Sequence, residues 1–146
     1  MTVQRLENVA IVVDDLAAAT AFFVELGLEL LGEGAVEGDW VDRLVGLDGV
    51  RSMVAMLQTP DGHGRLELMQ FETPPARAGG QHAPPLNTLG IHRVAFGVDD
   101  MDAAVTGLKA RGAELIGEVV RYEDSYRLCY VRGPEGIMVM LTEQLG

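Results

Sequence analysis

An α+β fold built from two βαβββ modules, forming a curved mixed sheet around a cleft, is predicted for this chain. Three observations predict it. The first is an internal repeat: Asn8 to Glu33 reads NVAIVVDDLAAATAFFVELGLELLGE and Arg93 to Glu118 reads RVAFGVDDMDAAVTGLKARGAELIGE. Aligned without gaps at an offset of 85, they share 12 of 26 positions. Self-similarity of this kind marks two copies of one supersecondary unit. The second is that hydrophobic period switches from two to about 3.6 at the same place in each copy. The third is the stretch ETPPARAGGQHAPPLNT between the copies, whose proline and glycine content marks a linker.

Each element follows from its residues. Val9, Ile11 and Val13 alternate with Asn8, Ala10 and Val12, the pattern of a half-buried strand. Asp14-Asp15 and Asp99-Asp100 come next, where a carboxylate caps free amides and meets the positive end of a helix dipole. Leu16, Ala19, Phe23 and Leu26 then fall on one helical stripe, and Gly27 is placed to stop the helix. The second copy repeats this with Met101, Ala104, Val105 and Leu108, then Gly112. Strands are expected at 28–32, 51–59 and 64–71, the last two joined by the turn PDGHG, and at 113–121, 125–132 and 137–143, the last two joined by GPEG. Module one is therefore 3–71, the linker 72–89 and module two 90–143 of a single domain. The segment EGDWVDRLVGLDGV has no strand pattern and is expected to be irregular.

The strands also have sides. Val9/Ile11/Val13 and Val94/Phe96/Val98 are bulky and should pack under the helices, while Asn8/Ala10/Val12 and Arg93/Ala95/Gly97 are smaller or polar. The second set suits a face lining a concavity, and two such sheets brought together would enclose a cleft.

Composition narrows the function. The chain has 146 residues, 48% of them apolar, which is enough for one well-cored domain. A formal charge of −11 argues against nucleic acid or an anionic membrane as partner, since both need basic patches. It allows cationic ligands, and its plainest meaning is solubility. One cysteine, Cys129, excludes a disulfide framework and a cysteine-based zinc site. The start MTVQRLENVAIVV lacks the pattern of a signal peptide, and no stretch has the apolar length to cross a bilayer, so a cytoplasmic protein is expected.

The paired pattern resembles the vicinal oxygen chelate superfamily, the fold of glyoxalase I, bleomycin-resistance proteins and extradiol (dihydroxybiphenyl) dioxygenases. The motifs that carry the resemblance are NVAIVVDDLAAATAFFVELGLEL, RLELMQF, RVAFGVDDM and GPEGIMVMLTE, and together they span Leu6 to Glu143. The resemblance implies small-molecule binding, a homodimer, and in many relatives a divalent metal held from the first and last strand of each module. Counting back seven residues from Asp15 and Asp100, as the family pattern requires, gives Asn8 and Arg93. His92 falls one residue outside that register, and a one-residue offset turns a strand side chain to the opposite face. In the last strands, Leu66-Glu67-Leu68 corresponds to Val139-Met140-Leu141. The implied quartet is Asn8, Glu67, Arg93 and Met140, of which only Glu67 is a usual ligand.

That quartet suits a metal badly. An arginine stays protonated and has no lone pair to offer, and methionine sulfur is soft. Two unit charges about 4 Å apart cost roughly 4 kcal/mol at an effective dielectric near 20, and a divalent ion about doubles that. No cofactor is expected, and a metal would need Asn8, Glu67 and a displaced His92 or His63. Arg93 instead finds Glu67 as its expected partner, either as an ion pair that plugs a lost metal site or as groups that act on a ligand.

Other residues have bland and functional readings side by side. Trp40 lies in the irregular segment and is either a core anchor or a pocket wall. Met69, Met138 and Met140 are core filling or a soft wall for an apolar or aromatic ligand. His63 sits in a turn, where exposure is the natural reading. Tyr126, Leu128 and Tyr130 share one strand face and Arg127, Cys129 and Val131 the other, and the sequence leaves open which faces the cleft. Cys129 lacks the His–Asp support of a nucleophile. The expected ligand-binding set is Asn8, Trp40, Glu67, Met69, Arg93, Met138 and Met140. Three functions stay open: metal-free binding of a small organic molecule; a glyoxalase-type lyase or isomerase in which Glu67 moves a proton and Arg93 stabilises an oxyanion; or, least favoured, a glyoxalase or dioxygenase using a divalent metal at the reduced ligand set.

Overall fold

The structure, a computed structural model, describes residues 1–79 and 83–146. Part of the predicted linker, 80–82, lies outside the described residues. The chain divides into two compact units, Met1–Arg77 and Ala78–Gly146. The fold class is α+β with the two predicted modules, and among the described residues eight strands form two four-stranded mixed sheets.

Unit one contains β1 (Val9–Val12), α1 (Leu16–Leu26), β2 (Glu29–Glu37), α2 (Asp39–Val45), β3 (Arg51–Gln58) and β4 (Arg65–Thr73). Its strand order is β1-β4-β3-β2, with β1 parallel to β4 and the other pairs antiparallel. Unit two contains β5 (Val94–Val98), α3 (Met101–Ala110), β6 (Glu114–Tyr122), β7 (Tyr126–Arg132), a 3₁₀ turn at Pro134–Gly136 and β8 (Met138–Gln144). Its order, β5-β8-β7-β6, repeats the first topology.

The aspartates cap as their chemistry requires. The Asp15 side chain accepts from the Ala18 amide at 3.0 Å, and that of Asp100 from the Ala103 amide at 3.0 Å. A second cap comes from the last strand of each unit. Gln70 Oε1 accepts from the Leu16 amide at 2.9 Å, and Glu143 Oε2 from the Met101 amide at 2.6 Å. Two of the free amides at each helix start are thus satisfied by side chains. Gly27, at φ 117°, takes the left-handed conformation that ends α1.

The core of unit one lies between α1 and its sheet: Val13, Phe23, Ala55, Leu57, Leu66 and Leu68 are almost completely buried. In unit two the matching set is Met101, Leu108, Val131, Val139 and Leu141, with Cys129 among them. Burying each large side chain of this kind stabilises the fold by about 1.5–3 kcal/mol relative to leaving it exposed. Among the described residues no helix is long and apolar enough to cross a membrane.

Two expectations are corrected. The strand expected at 28–32 runs on to Glu37, because Glu33 to Glu37 pair with β3 from Ala55 to Arg51. Its GEGAVE stretch hides this, since almost every residue of β2 is exposed and no face demands an apolar side chain. The segment expected to be irregular contains the short helix α2. Asp39 and Asp42 lie in its first turn, Gly46 at φ 72° stops it, and only Val41 is buried. The Asp42 carboxylate also accepts from the Gly49 and Val50 amides at 3.0 and 2.8 Å, tying the helix to the start of β3.

Candidate functional site

In unit one, strand pairing collects the side chains of one sheet face. Ala10 lies opposite Glu67, which lies opposite Met56, which lies opposite Gly32. Val12, Met69, Val54 and Gly34 form the next row. This is the face away from α1, since Leu66, Leu68, Ala55 and Leu57 occupy the buried side. Glu67 and Met69 are half-buried, and Asn8 sits just before β1. Among the described residues the Glu67 carboxylate has no hydrogen-bond or ion-pair partner. Arg65, two residues back on the same face, donates its Nε to Gln58 Oε1 at 3.0 Å. The two rows hold a carboxylate, four methionine or valine side chains, Ala10 and two bare glycine positions. They offer one hydrogen-bond acceptor on an apolar surface.

Trp40 does not join that face as a core anchor. It is 61% exposed on α2. His63 is exposed in the β3–β4 turn, where its amide donates to Asp61 Oδ1 at 3.0 Å. The Asp61 carboxyl is held below its ordinary range, first by the Thr59 hydroxyl and then by that amide. The His63 ring adds a smaller electrostatic contribution, so its part here belongs to the turn.

In unit two the open face is settled by β7. Cys129 and Val131 are buried toward α3, with the Cys129 sulfur 3.5 Å from that of Met101. Burial pushes the Cys129 thiol up from its usual range. Arg127 is on the same side: it binds Asp102 of α3 at 2.8 Å and approaches Glu143 at 3.7 Å. Tyr126, Leu128 and Tyr130 therefore lie on the face away from α3. Tyr130 pairs with Met140, and Met140 with Ala95. Met140 is half-buried, whereas Met138 is only 6% exposed, so the two methionines differ in what they can offer a ligand.

Arg93 and Tyr130 meet across this face. An NH1 hydrogen of Arg93 is donated to the Tyr130 hydroxyl, and the guanidinium carbon lies 5.8 Å from the ring centroid. Since β8 separates β5 from β7, the two side chains bridge over it. His92 reaches the same ring. The two centroids are 5.7 Å apart with planes inclined by 17°. The expectation that His92 points to the face opposite Arg93 is thus corrected. Strand β5 begins at Val94, so the alternation used to place His92 does not extend to it. The sequence does not assign Tyr130 because its partners Arg93 and His92 are distant in the chain, Arg93 by 37 residues. The density of aromatic and polar residues in YEDSYRLCY was the one signal pointing to it.

The four positions at which the family resemblance implies a metal site carry Asn8 and Glu67 in unit one, Arg93 and Met140 in unit two. Among the described residues no group of three or more His, Cys, Asp or Glu side chains could hold a metal ion. A guanidinium already donating to a phenol presents positive charge and no lone pair. This donor set does not fit a divalent cation.

The family model described as Glyoxalase/Bleomycin resistance protein/Dioxygenase superfamily matches residues 5–141. The chain belongs to this superfamily. A member structure, the glyoxalase family protein from Bacillus cereus, is 51% identical, with 100% of this chain and 97% of that chain covered and a TM-score of 0.95. The uncharacterized protein YaeR of Escherichia coli (strain K12) is 29% identical over 145 residues, 97% of each chain. The fosfomycin resistance protein FosX of Listeria monocytogenes, complexed with Mn(II) and a dihydroxypropylphosphonic acid, shares the fold at a TM-score of 0.63. It is 15% identical over 96% of this chain and 90% of that one. At that identity the likeness to FosX is one of architecture.

Proposed function

We propose that this superfamily member binds a small organic molecule without a metal. The observation that carries the reading is the Arg93–Tyr130 hydrogen bond, which puts an oriented guanidinium at a position where metal-using relatives place a ligand. A cation there would be repelled, while an anionic or carbonyl oxygen would be attracted. Tyr130, Leu128 and Met140 give the same face an apolar, adaptable surface for the rest of the molecule. The test is metal analysis and native mass spectrometry of protein taken directly from cells. A substoichiometric metal content with a low-mass organic species that survives long incubation unchanged is expected. A stoichiometric divalent ion, or clean conversion of that species, refutes the reading.

A second reading is favoured by Glu67. A half-buried carboxylate without a partner on an apolar surface is suited to moving a proton. In a glyoxalase-type lyase or isomerase, Glu67 would be the base and Arg93 the oxyanion stabiliser. Glu67→Gln keeps size and removes basicity. Turnover that survives this change eliminates the second reading.

A further inference from the structure

Most arginines whose contacts are defined are matched to carboxylates. Arg51 binds Glu37 and Glu72 at 2.8 and 2.7 Å, Arg127 binds Asp102, Arg43 approaches Asp39 and Arg5 binds Glu7. In a chain with 22 acidic and 11 basic side chains, such pairing is the easy outcome. Arg65 donates to Gln58 and Arg132 to the Gly136 and Pro84 carbonyls, and Arg93 likewise departs from the pattern. Among the described residues it has no carboxylate partner, and the group that holds it is the neutral hydroxyl of Tyr130. A phenol orients the guanidinium without cancelling its charge, and most of the five N–H donors stay available. A planar guanidinium with free donors matches a carboxylate, which it can grip through two parallel bonds. Beside it the exposed His92 ring is stacked on the Tyr130 ring, with centroids 5.7 Å apart and planes inclined by 17°, so the stack turns an imidazole face outward.

We infer that Arg93, Tyr130 and His92 form a receptor for the carboxylate of a small planar organic acid. Arg93 takes the carboxylate, Tyr130 fixes the guanidinium, and the outer face of the His92 ring stacked on Tyr130 meets the flat body of the acid. This rests on the reading of metal-free ligand binding and names the ligand class. Tyr130 and His92 thereby become specificity residues, a role the strand alternation alone denied to His92.

The probe is benzoate, with benzamide as the neutral analogue of the same shape and inorganic phosphate as an anion without a ring. NMR titration of the metal-stripped full chain reads the site directly through the Tyr130 and His92 ring resonances. Saturable shifts with benzoate, and none with benzamide or phosphate at the same concentrations, are expected. Arg93→Gln should weaken benzoate at least about tenfold, as loss of a charged hydrogen bond does. Tyr130→Phe keeps the ring and frees the guanidinium, so it should weaken benzoate about threefold to tenfold. Amide spectra of both variants establish that the fold is intact. Equal binding of benzamide or phosphate, shifts confined to other residues, or unchanged affinity in Arg93→Gln would overturn the receptor. A metal found in the native protein would instead overturn the metal-free reading while leaving the benzoate result to stand by itself.

Discussion

Glu143 reaches from the last strand to the first residue of α3, where its Oε2 accepts the Met101 amide at 2.6 Å. Its counterpart under the repeat is Gln70, which accepts the Leu16 amide at 2.9 Å. A carboxylate and an amide thus fill one role in the two units, because the role needs only a carbonyl-type oxygen. Glu143→Gln should cost little, whereas Glu143→Ala strands a part-buried amide and should destabilise by about 1–2 kcal/mol. Urea denaturation of both variants measures the difference, and equal losses would show that charge rather than the acceptor matters.

The Asp102–Arg127 pair gives a pH signature of known sign. The Arg127 side chain, by hydrogen bond and by charge, holds the Asp102 carboxyl below its usual range. A depressed carboxyl contributes stability above its unfolded pKa and loses it as pH falls through the folded value. Both groups have exposed atoms, so screening keeps the effect small. Asp102→Asn should therefore be slightly less stable than the natural chain near pH 7, and the gap should close as pH falls through the lowered pKa of the folded carboxyl. A gap that widened in acid would contradict the assignment.

Gly34 lies on the open face of β2 with no heavy atom within 4 Å of an added Cβ, and its φ is not in the left-handed region. No local geometry calls for glycine there. Gly34→Val should raise stability by about 0.5–1 kcal/mol, since glycine is a poor strand residue. If the bare backbone serves close approach of a ligand, the same variant should emerge from cells carrying less of it. Denaturation and native mass spectrometry read the two effects separately.

Trp40 is the sole tryptophan and is 61% exposed. Its emission in the native state should already resemble that of the unfolded chain, and a soluble quencher should reach it readily. A strongly blue-shifted, protected emission would show that something covers α2 in solution.

Cys129 is 3% exposed, and burial pushes its thiol pKa up and so disfavours the thiolate. An aromatic disulfide reagent near pH 8 should label it slowly in the folded protein and rapidly in urea. Fast labelling of the native state would mean that β7 opens readily.

The helix caps and the face of each first strand were legible because they depend on neighbours a few residues apart. Val9, Ile11 and Val13 point to the core for the same reason that Asp15 caps α1: local period and local hydrogen-bonding capacity. The helix α2 was less legible, though Asp39, Asp42 and Gly46 carry its start and stop signals. A seven-residue element with one buried side chain leaves almost no apolar period to detect.

From the sequence alone came the duplication, the βαβββ order, the superfamily and the presence of Arg93 where a metal ligand is usual. The tertiary structure decided what that arginine touches, which side of β7 carries Tyr130, and that His92 lies against the same ring. The physical reason is range. Alternation and capping are written within one turn or one strand, whereas a guanidinium and a phenol 37 residues apart meet only after β8 has taken its place between their strands.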